Sequence, residues 1–340
     1  MSIELWSGVL AVIFGGFLQG IFAVPMKYAP GWKYEHIWLI FSFSGMVLFP
    51  WILAITTLPH TRDVYSLTSA GALLKIAGFG LCWGVGATLT GIGLTLLGIG
   101  LGMAIILGLS ASLGSLIPLL ILHPEKLHTH QGRTYLTGTA IMLVGIAVSA
   151  KAGILRDAIR NRENARSGGS FVTGFTVCCL SGLFSSALNF SYAFGGEAVE
   201  RARDLGARPL WSANAVTVLA VTGGFVANVV YCAYLLAKNG SAGVFVSSGA
   251  GVGWLCGALM GLFWFGGQTL YGIGISQIGQ LGVVIGWPLL MGMIIVTSNA
   301  AGAITGEWDG VSPATKRFLA AGMMIILAAL AVLAIAERSA

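Results

Sequence analysis

The chain has 340 residues, of which 56% are hydrophobic and only 9% are charged, with a formal net charge of +6. A soluble domain carries about 25% charged residues, so this chain cannot cover a globular surface with polar groups. Composition therefore excludes an ordinary water-soluble enzyme, and the scattered positive charge, which forms no basic groove, excludes a nucleic-acid partner.

Ten apolar runs are long enough to cross a bilayer, which needs about 20 mostly apolar residues. In chain order they cover residues 5–26, 35–58, 72–96, 101–122, 134–152, 171–194, 210–237, 252–275, 280–304 and 315–336. The first run is expected to be a retained span, because only the acidic Glu4 precedes it and no small-residue cleavage site ends it. The sequence predicts an all-α membrane protein with ten transmembrane helices.

Glycine pairs four residues apart recur in these runs, in a chain with 50 glycines. They are Gly16/Gly20, Gly80/Gly84, Gly98/Gly102, Gly257/Gly261, Gly282/Gly286 and Gly302/Gly306. Small residues one turn apart let helix backbones approach closely in lipid, so a tightly packed bundle is expected. Tight turns are expected at Gly98–Gly100 and Gln277–Gly279, where neighbouring runs nearly touch.

The two halves of the chain resemble each other. Aligning Gly80 with Gly261 places Trp83 on Trp264, with ten identities in nineteen positions. Each half holds five spans, and an odd number forces the second half to enter the membrane from the opposite side. The sequence thus predicts a 5+5 inverted-topology repeat, a plan common in secondary transporters. Its parts are residues 1–152, a basic central loop at 153–170, and residues 171–340.

The distribution of Lys and Arg predicts the orientation. The central loop carries four arginines between residues 156 and 166, following Lys151. Loops rich in Lys and Arg stay in the cytoplasm. We therefore expect the central loop inside and both termini in the periplasm.

Polar and aromatic side chains within the runs are the candidate solute-binding residues. They are Gln19, Trp83, Asn189, Asn214, Gln268, Tyr271, Gln280 and Trp287. Neutral amides donate and accept hydrogen bonds, as sugar hydroxyls require, and aromatic faces pack against the apolar face of a sugar ring. This set favours a neutral polyhydroxyl solute. The alternative is that the amides only bond neighbouring helices.

No Asp or Glu lies in the middle of a run, so a coupling acid must sit at a helix end. Glu35, beside His36, is the first choice for proton coupling, and Lys27 could pair with it or neutralise an anion. Alternatively, Glu35 is an acid favoured at a helix N-terminus and Lys27 only sets the topology. The sequence contains no nucleotide-binding motif, catalytic constellation or strong metal-ligand spacing, so no enzyme activity, cofactor or metal is expected.

Several short segments, taken in order, resemble the L-rhamnose–proton symporter family of the drug/metabolite transporter superfamily. They are Pro25-Met26-Lys27, residues 32–38, Pro50-Trp51, residues 83–86, residues 182–185 and Gly306-Glu307-Trp308. The resemblance implies ten helices in an inverted five-plus-five plan and proton-driven sugar uptake across a bacterial inner membrane. It also places Lys27 and Glu35 at matching positions. Residues 276–287 depart from the family pattern because they lack an acid, which bears on the solute and on the coupling.

The leading hypothesis is a secondary active transporter of L-rhamnose or a similar deoxysugar, working by proton symport with alternating access. Its partners would be the sugar, protons and the lipid bilayer, and self-association as a homodimer is left open. Two alternatives remain: an exporter or exchanger of another metabolite or lipophilic compound on the same scaffold, and a membrane protein that does not transport.

Overall fold

The computed structural model describes residues 3–97, 99–160 and 171–336, and within them the regular structure is helical, without a strand. The α-helices are α1 (Ile3–Ile21), α2 (Tyr34–Phe43), α3 (Phe49–Thr57), α4 (Thr61–Leu67), α5 (Ala70–Leu97), α6 (Ile99–Leu122), α7 (His130–Arg160), α8 (Phe171–Ser185), α9 (Ala187–Phe194), α10 (Gly196–Asp204), α11 (Asn214–Asn239), α12 (Ala250–Ile278), α13 (Gly282–Ile304) and α14 (Pro313–Ala336).

Within these residues, ten segments are long and apolar enough to cross a membrane, which confirms the predicted number of spans. α2 and α3 together make the second span, and α8 and α9 belong to the sixth. α12 and α13 are separated only by residues 279–281, so the turn predicted there is tight. The other predicted tight turn includes Gly98, which lies outside the described residues.

Three helices lie partly or wholly outside the predicted spans. α7 continues to Arg160, into the segment predicted as the central loop. α4 lies between the second and third predicted runs, and α10 lies between the sixth and seventh. α10 is amphipathic, with Ala198 and Ala202 buried one turn apart. Hydropathy marks the part of a helix that fits in lipid, not the residue where the helix ends. Residues 161–170, the rest of the predicted loop, lie outside the described residues.

The second span stays continuous around a proline. Pro50 has no N–H, so it cannot bond the carbonyl of Met46 in an α-helix. Residues Ser44–Leu48 form a π-helical turn between α2 and α3, so the span remains helical up to the proline. The Thr222 hydroxyl of α11, which donates to the Val218 carbonyl at 2.6 Å, lies 3.5 Å from the Met46 carbonyl.

The first span of each half packs against spans of the other half. α1 packs on α12 and α13, while α8, which opens the second half, packs on α5 and α6. α6 packs on α7 in the first half, and α13 packs on α14 in the second. The pairs α7–α14, α6–α13 and α2–α11 join the halves. These contacts therefore have counterparts when the halves are interchanged.

Glycines lie at the closest of these contacts. A Cβ atom built on Gly80 of α5 would overlap the backbone of Ala220 in α11, and one on Gly84 would overlap Gly224. Gly16 of α1 faces Met293 of α13 in the same way. The prediction of close helix packing from the glycine pairs is confirmed at these contacts.

Candidate functional site

A series of hydrogen-bonded, buried polar side chains connects α1, α12, α9 and α11. Gln19 of α1 donates to Oε1 of Gln268 in α12 at 2.9 Å, and Gln268 Nε2 donates to the Tyr192 hydroxyl at 3.1 Å. The Tyr192 hydroxyl is also bonded to Thr217 of α11 at 2.9 Å. All four side chains are buried. Two amides predicted from sequence to bind solute are therefore direct partners.

A second chain of bonds is centred on Asn189 of α9. Its Oδ1 accepts a hydrogen bond from the Tyr271 hydroxyl, and its Nδ2 donates to the Gly114 carbonyl at 2.7 Å and to the Val283 carbonyl at 3.1 Å. Gly114 is four residues before Pro118, which has no N–H with which to bond that carbonyl. Asn189 supplies the missing donor, so the proline turn of α6 and an amide in α9 form one unit.

Aromatic contacts join the two chains. The Tyr192 and Tyr271 rings meet edge to face with centroids 5.3 Å apart, and Tyr271 meets Trp287 of α13 at 5.7 Å. Trp287 Nε1 donates to the Ser110 carbonyl at 2.9 Å. The polar–aromatic network is defined here as Gln19, Asn189, Tyr192, Thr217, Gln268, Tyr271 and Trp287. Its hydrogen-bonding groups already have partners, so a solute could enter only by exchanging its hydroxyls for these bonds.

The other predicted binding residues lie apart from this unit. Trp83 stacks on its repeat counterpart Trp264, with centroids 5.2 Å apart and rings inclined by 18°. Asn214 donates to the Thr57 hydroxyl at 3.0 Å, which joins α11 to α3. Gln280 is exposed in the turn between α12 and α13. The structure thus brings together five of the eight predicted residues, with Tyr192 and Thr217 added.

A cavity of about 360 Å³ opens at the end of the bundle where α1, α7 and α13 end. This volume is within the range of about 300–1,000 Å³ that small-molecule sites occupy. Its walls are mainly apolar and include Ala104 of α6, Ile146 of α7 and Asn299 of α13. Gly20 also lines it, directly after Gln19 of the polar–aromatic network. The cavity and the network are therefore neighbours along α1.

Charged side chains line the mouth of this cavity. Lys27 Nζ is 2.6 Å from Oε1 of Glu307 and 2.5 Å from the Thr305 hydroxyl. Arg156 of α7 is 3.7 Å from Oε2 of Glu307 and lies over the Trp308 ring at 4.9 Å from its centroid. We call Lys27, Arg156 and Glu307 the mouth cluster. Glu307 and Arg156 were not among the predicted site residues, although Glu307 stands in a segment that carries the family resemblance.

Glu35, the predicted coupling acid, is in a different place. Its Oε1 accepts hydrogen bonds from Asn239 Nδ2 at 2.9 Å and from the Ser241 hydroxyl at 3.0 Å, and the residue is buried. His36 Nδ1 accepts from the Lys33 amide, so its Nε2 carries the proton and donates to the Ser241 carbonyl at 2.9 Å. These bonds fasten the start of α2 to the segment after α11. Lys27 pairs with Glu307, and Glu35 does not line the cavity.

The family model of the L-rhamnose-proton symport protein (RhaT) matches residues 1–338. L-rhamnose-proton symporters of Shigella boydii serotype 18 and Escherichia coli strain 55989 are each 25% identical to this chain over 336 residues, which covers 97% of either protein. One solved crystal structure has the same fold, with a TM-score of 0.57 at 16% identity over 98% of both chains.

Proposed function

The chain belongs to the L-rhamnose-proton symport protein family, and from this premise we propose that it transports L-rhamnose or a similar deoxysugar together with protons. The family match over residues 1–338 is the observation that carries the proposal. The ten spans and the family make the chain a multi-pass protein of the inner membrane and a transporter, not an enzyme.

We place the solute at the closed end of the cavity, beside the polar–aromatic network. Amides such as Gln19 and Gln268 can exchange their mutual hydrogen bond for bonds to sugar hydroxyls, because an amide both donates and accepts. The ring of Tyr271 or Trp287 would pack on the apolar face of the sugar. Trp83 and Asn214 would affect transport through the helix contacts they make. Gln280 lies at the opposite end of the bundle, where it could contact the solute only outside this cavity.

Alternating access would use the two halves, residues 1–152 and 171–340, as an inverted repeat. The exchanged packing of α1 with α12 and α13, and of α8 with α5 and α6, supports this. So does the ten-span plan of the drug/metabolite transporter superfamily, to which we assign the family. With the termini in the periplasm, the cavity opens to the cytoplasm, and the structure would be an inward-facing state.

Purified protein in proteoliposomes is expected to accumulate radiolabelled L-rhamnose when an inward proton gradient is imposed, and to stop when a protonophore removes it. Liposomes without protein give the background. Uptake that equilibrates without accumulation would contradict symport, and no uptake by folded protein would remove L-rhamnose and its close analogues as solutes.

Filling the cavity should block transport. Ala104→Phe places a ring in the cavity wall of α6, and we expect it to reduce the initial rate of L-rhamnose uptake at least about tenfold, because the solute and the ring would compete for one volume. Leu120→Phe adds a ring to the exposed face of the same helix and should leave the rate unchanged. Equal rates for both variants would show that the cavity is not on the solute path.

A further inference from the structure

The mouth cluster contains a carboxylate that meets water. Glu307 is the one acid among the described residues that line the cavity, and 40% of its side chain is exposed. A group that couples transport to a proton gradient must exchange protons with solution, and its charge must alter the balance between conformations. Exposure into a solute-sized cavity meets the first requirement. Glu35, with 3% exposure and no place in the cavity lining, does not.

The carboxylate of Glu307 connects the ends of several helices, so its charge can alter the balance between conformations. The Glu307 amide donates to the Gly302 carbonyl at 2.8 Å, so the acid is fixed to the end of α13. Its two oxygens meet Lys27, which follows α1, and Arg156 of α7. An ionised Glu307 therefore holds the ends of three spans together around the cavity mouth. A neutral Glu307 would lose both attractions and leave two cations at the same mouth.

We propose that Glu307 is the proton-coupling residue and that Lys27 is the group that displaces its proton. This inference rests on the proposed function. In the state seen here, the carboxylate of Glu307 is paired with Lys27. In the outward-facing state, where the end of α1 has separated from α13, the carboxylate takes up a proton that enters from the periplasm with the solute. Return of Lys27 expels that proton into the water of the cavity, on the side where the solute leaves.

Among the described residues, few charged groups surround Glu307. Lys27 faces it from the segment after α1, and Arg156 faces it from α7. Asp309 lies in the same loop, close to Gly306. Lys151 of α7 is directed to the Phe318 ring instead, 4.4 Å from its centroid. α13 itself has no charged residue between Gly282 and Ile304.

The first test separates coupling from solute movement. Glu307→Gln is expected to lose accumulation driven by a proton gradient, at least about tenfold, and to retain exchange of labelled for unlabelled L-rhamnose. Asp63→Asn neutralises an acid that is 54% exposed and outside the cavity, and it should behave as the parent. Accumulation retained in Glu307→Gln would overturn the proposal, and loss in Glu35→Gln alone would assign coupling to Glu35.

The second test needs no solute. Ser298 lines the cavity, so Ser298→Cys in a background without the five native cysteines reports cavity access through its rate of alkylation. Once corrected for the pH dependence of free thiol alkylation, this rate should fall as the pH is lowered, because protonation of Glu307 breaks the ion pairs that stabilise the state seen here and favours the outward-facing state, in which the cavity is closed to the cytoplasm. Glu307→Gln should abolish the pH dependence. Lys27→Gln should lower the labelling rate, since the ion pair that stabilises the state seen here is then absent.

The two tests fail in different ways. A pH-dependent labelling rate that requires Glu307, in a protein that does not accumulate L-rhamnose, would support the coupling role and reject the solute. A pH-independent labelling rate in a protein that does accumulate L-rhamnose would support the solute and reject Glu307. If the ion pair is only structural, Glu307→Gln lowers the unfolding temperature and leaves the pH dependence of the labelling rate unchanged, and that result would also overturn the proposal.

Discussion

Gly80→Ala is expected to lower the stability of the protein by about 3 kcal/mol, at the upper end of the usual cost of overpacking. The new methyl group would overlap the carbonyl of Ala220, and the next atoms it meets also belong to that residue's backbone. A backbone carbonyl cannot turn aside as a side chain does. α5 would have to move away from α11, which opens the contact between the third and seventh spans along its length.

Gly78→Ala is the matched control, because it adds the same atom two residues earlier on α5, where nothing lies within 4 Å. Its unfolding temperature in detergent should equal or slightly exceed that of the parent, because alanine favours a helix over glycine, while that of Gly80→Ala falls by several degrees. Gly84→Ala, which meets Gly224 in the same interface, should behave as Gly80→Ala does. Equal unfolding temperatures for Gly78→Ala and Gly80→Ala would show that α5 and α11 pack less closely than the structure has them.

The sequence predicted the spans well because lipid imposes a simple rule on them. A helix in a bilayer must be apolar over about 20 residues, and that length is visible in hydropathy alone. The rule does not apply outside the lipid, so the continuation of α7 to Arg160 and the short helices α4 and α10 were missed. The glycine pairs predicted close contacts but not the partner helix, since a spacing within one helix does not name the helix that faces it.

The candidate site was predicted in part for a similar reason. A buried amide in a membrane needs a partner, so Gln19, Asn189 and Gln268 were expected to bond other groups, and in the structure they do. Their partners depend on the tertiary structure. Tyr192 accepts a hydrogen bond from Gln268, but it is one of several polar residues in the sixth span, and the sequence alone does not single it out. The mouth cluster was missed because Glu307 and Arg156 lie at helix ends, where a charge is usually solvated or sets topology. Only their meeting across the cavity distinguishes them.

Asn189→Leu is expected to abolish gradient-driven uptake and to lower stability by several kcal/mol. The leucine leaves the Tyr271 hydroxyl and the carbonyls of Gly114 and Val283 without the bonds that Asn189 makes. A buried polar group left unpaired costs about 1–3 kcal/mol. The loss at Gly114 is the most severe, because Pro118 offers that carbonyl no alternative donor in α6.

Two control variants separate the effect of Asn189→Leu on stability from its effect on transport. Tyr271→Phe removes a single bond to Asn189 and keeps the ring between Tyr192 and Trp287, so it should cost about a third as much stability. Asn228→Leu removes a buried amide that bonds the Trp38 indole and the Gly224 carbonyl, outside the polar–aromatic network. It should lower the unfolding temperature and leave the uptake rate per folded molecule within about twofold.

Uptake is therefore measured well below the unfolding temperature of the weakest variant and normalised to folded protein. If Asn189→Leu and Asn228→Leu lose stability to a similar extent and only Asn189→Leu loses uptake, the network takes part in transport in addition to holding the helices. If both retain uptake, Asn189 serves only to bond the carbonyl that Pro118 leaves free in α6, and the solute must bind elsewhere in the cavity. The two outcomes differ because a side chain that exchanges hydrogen-bond partners during transport needs its donor and its acceptor. A side chain that only packs needs only its volume, which leucine nearly preserves.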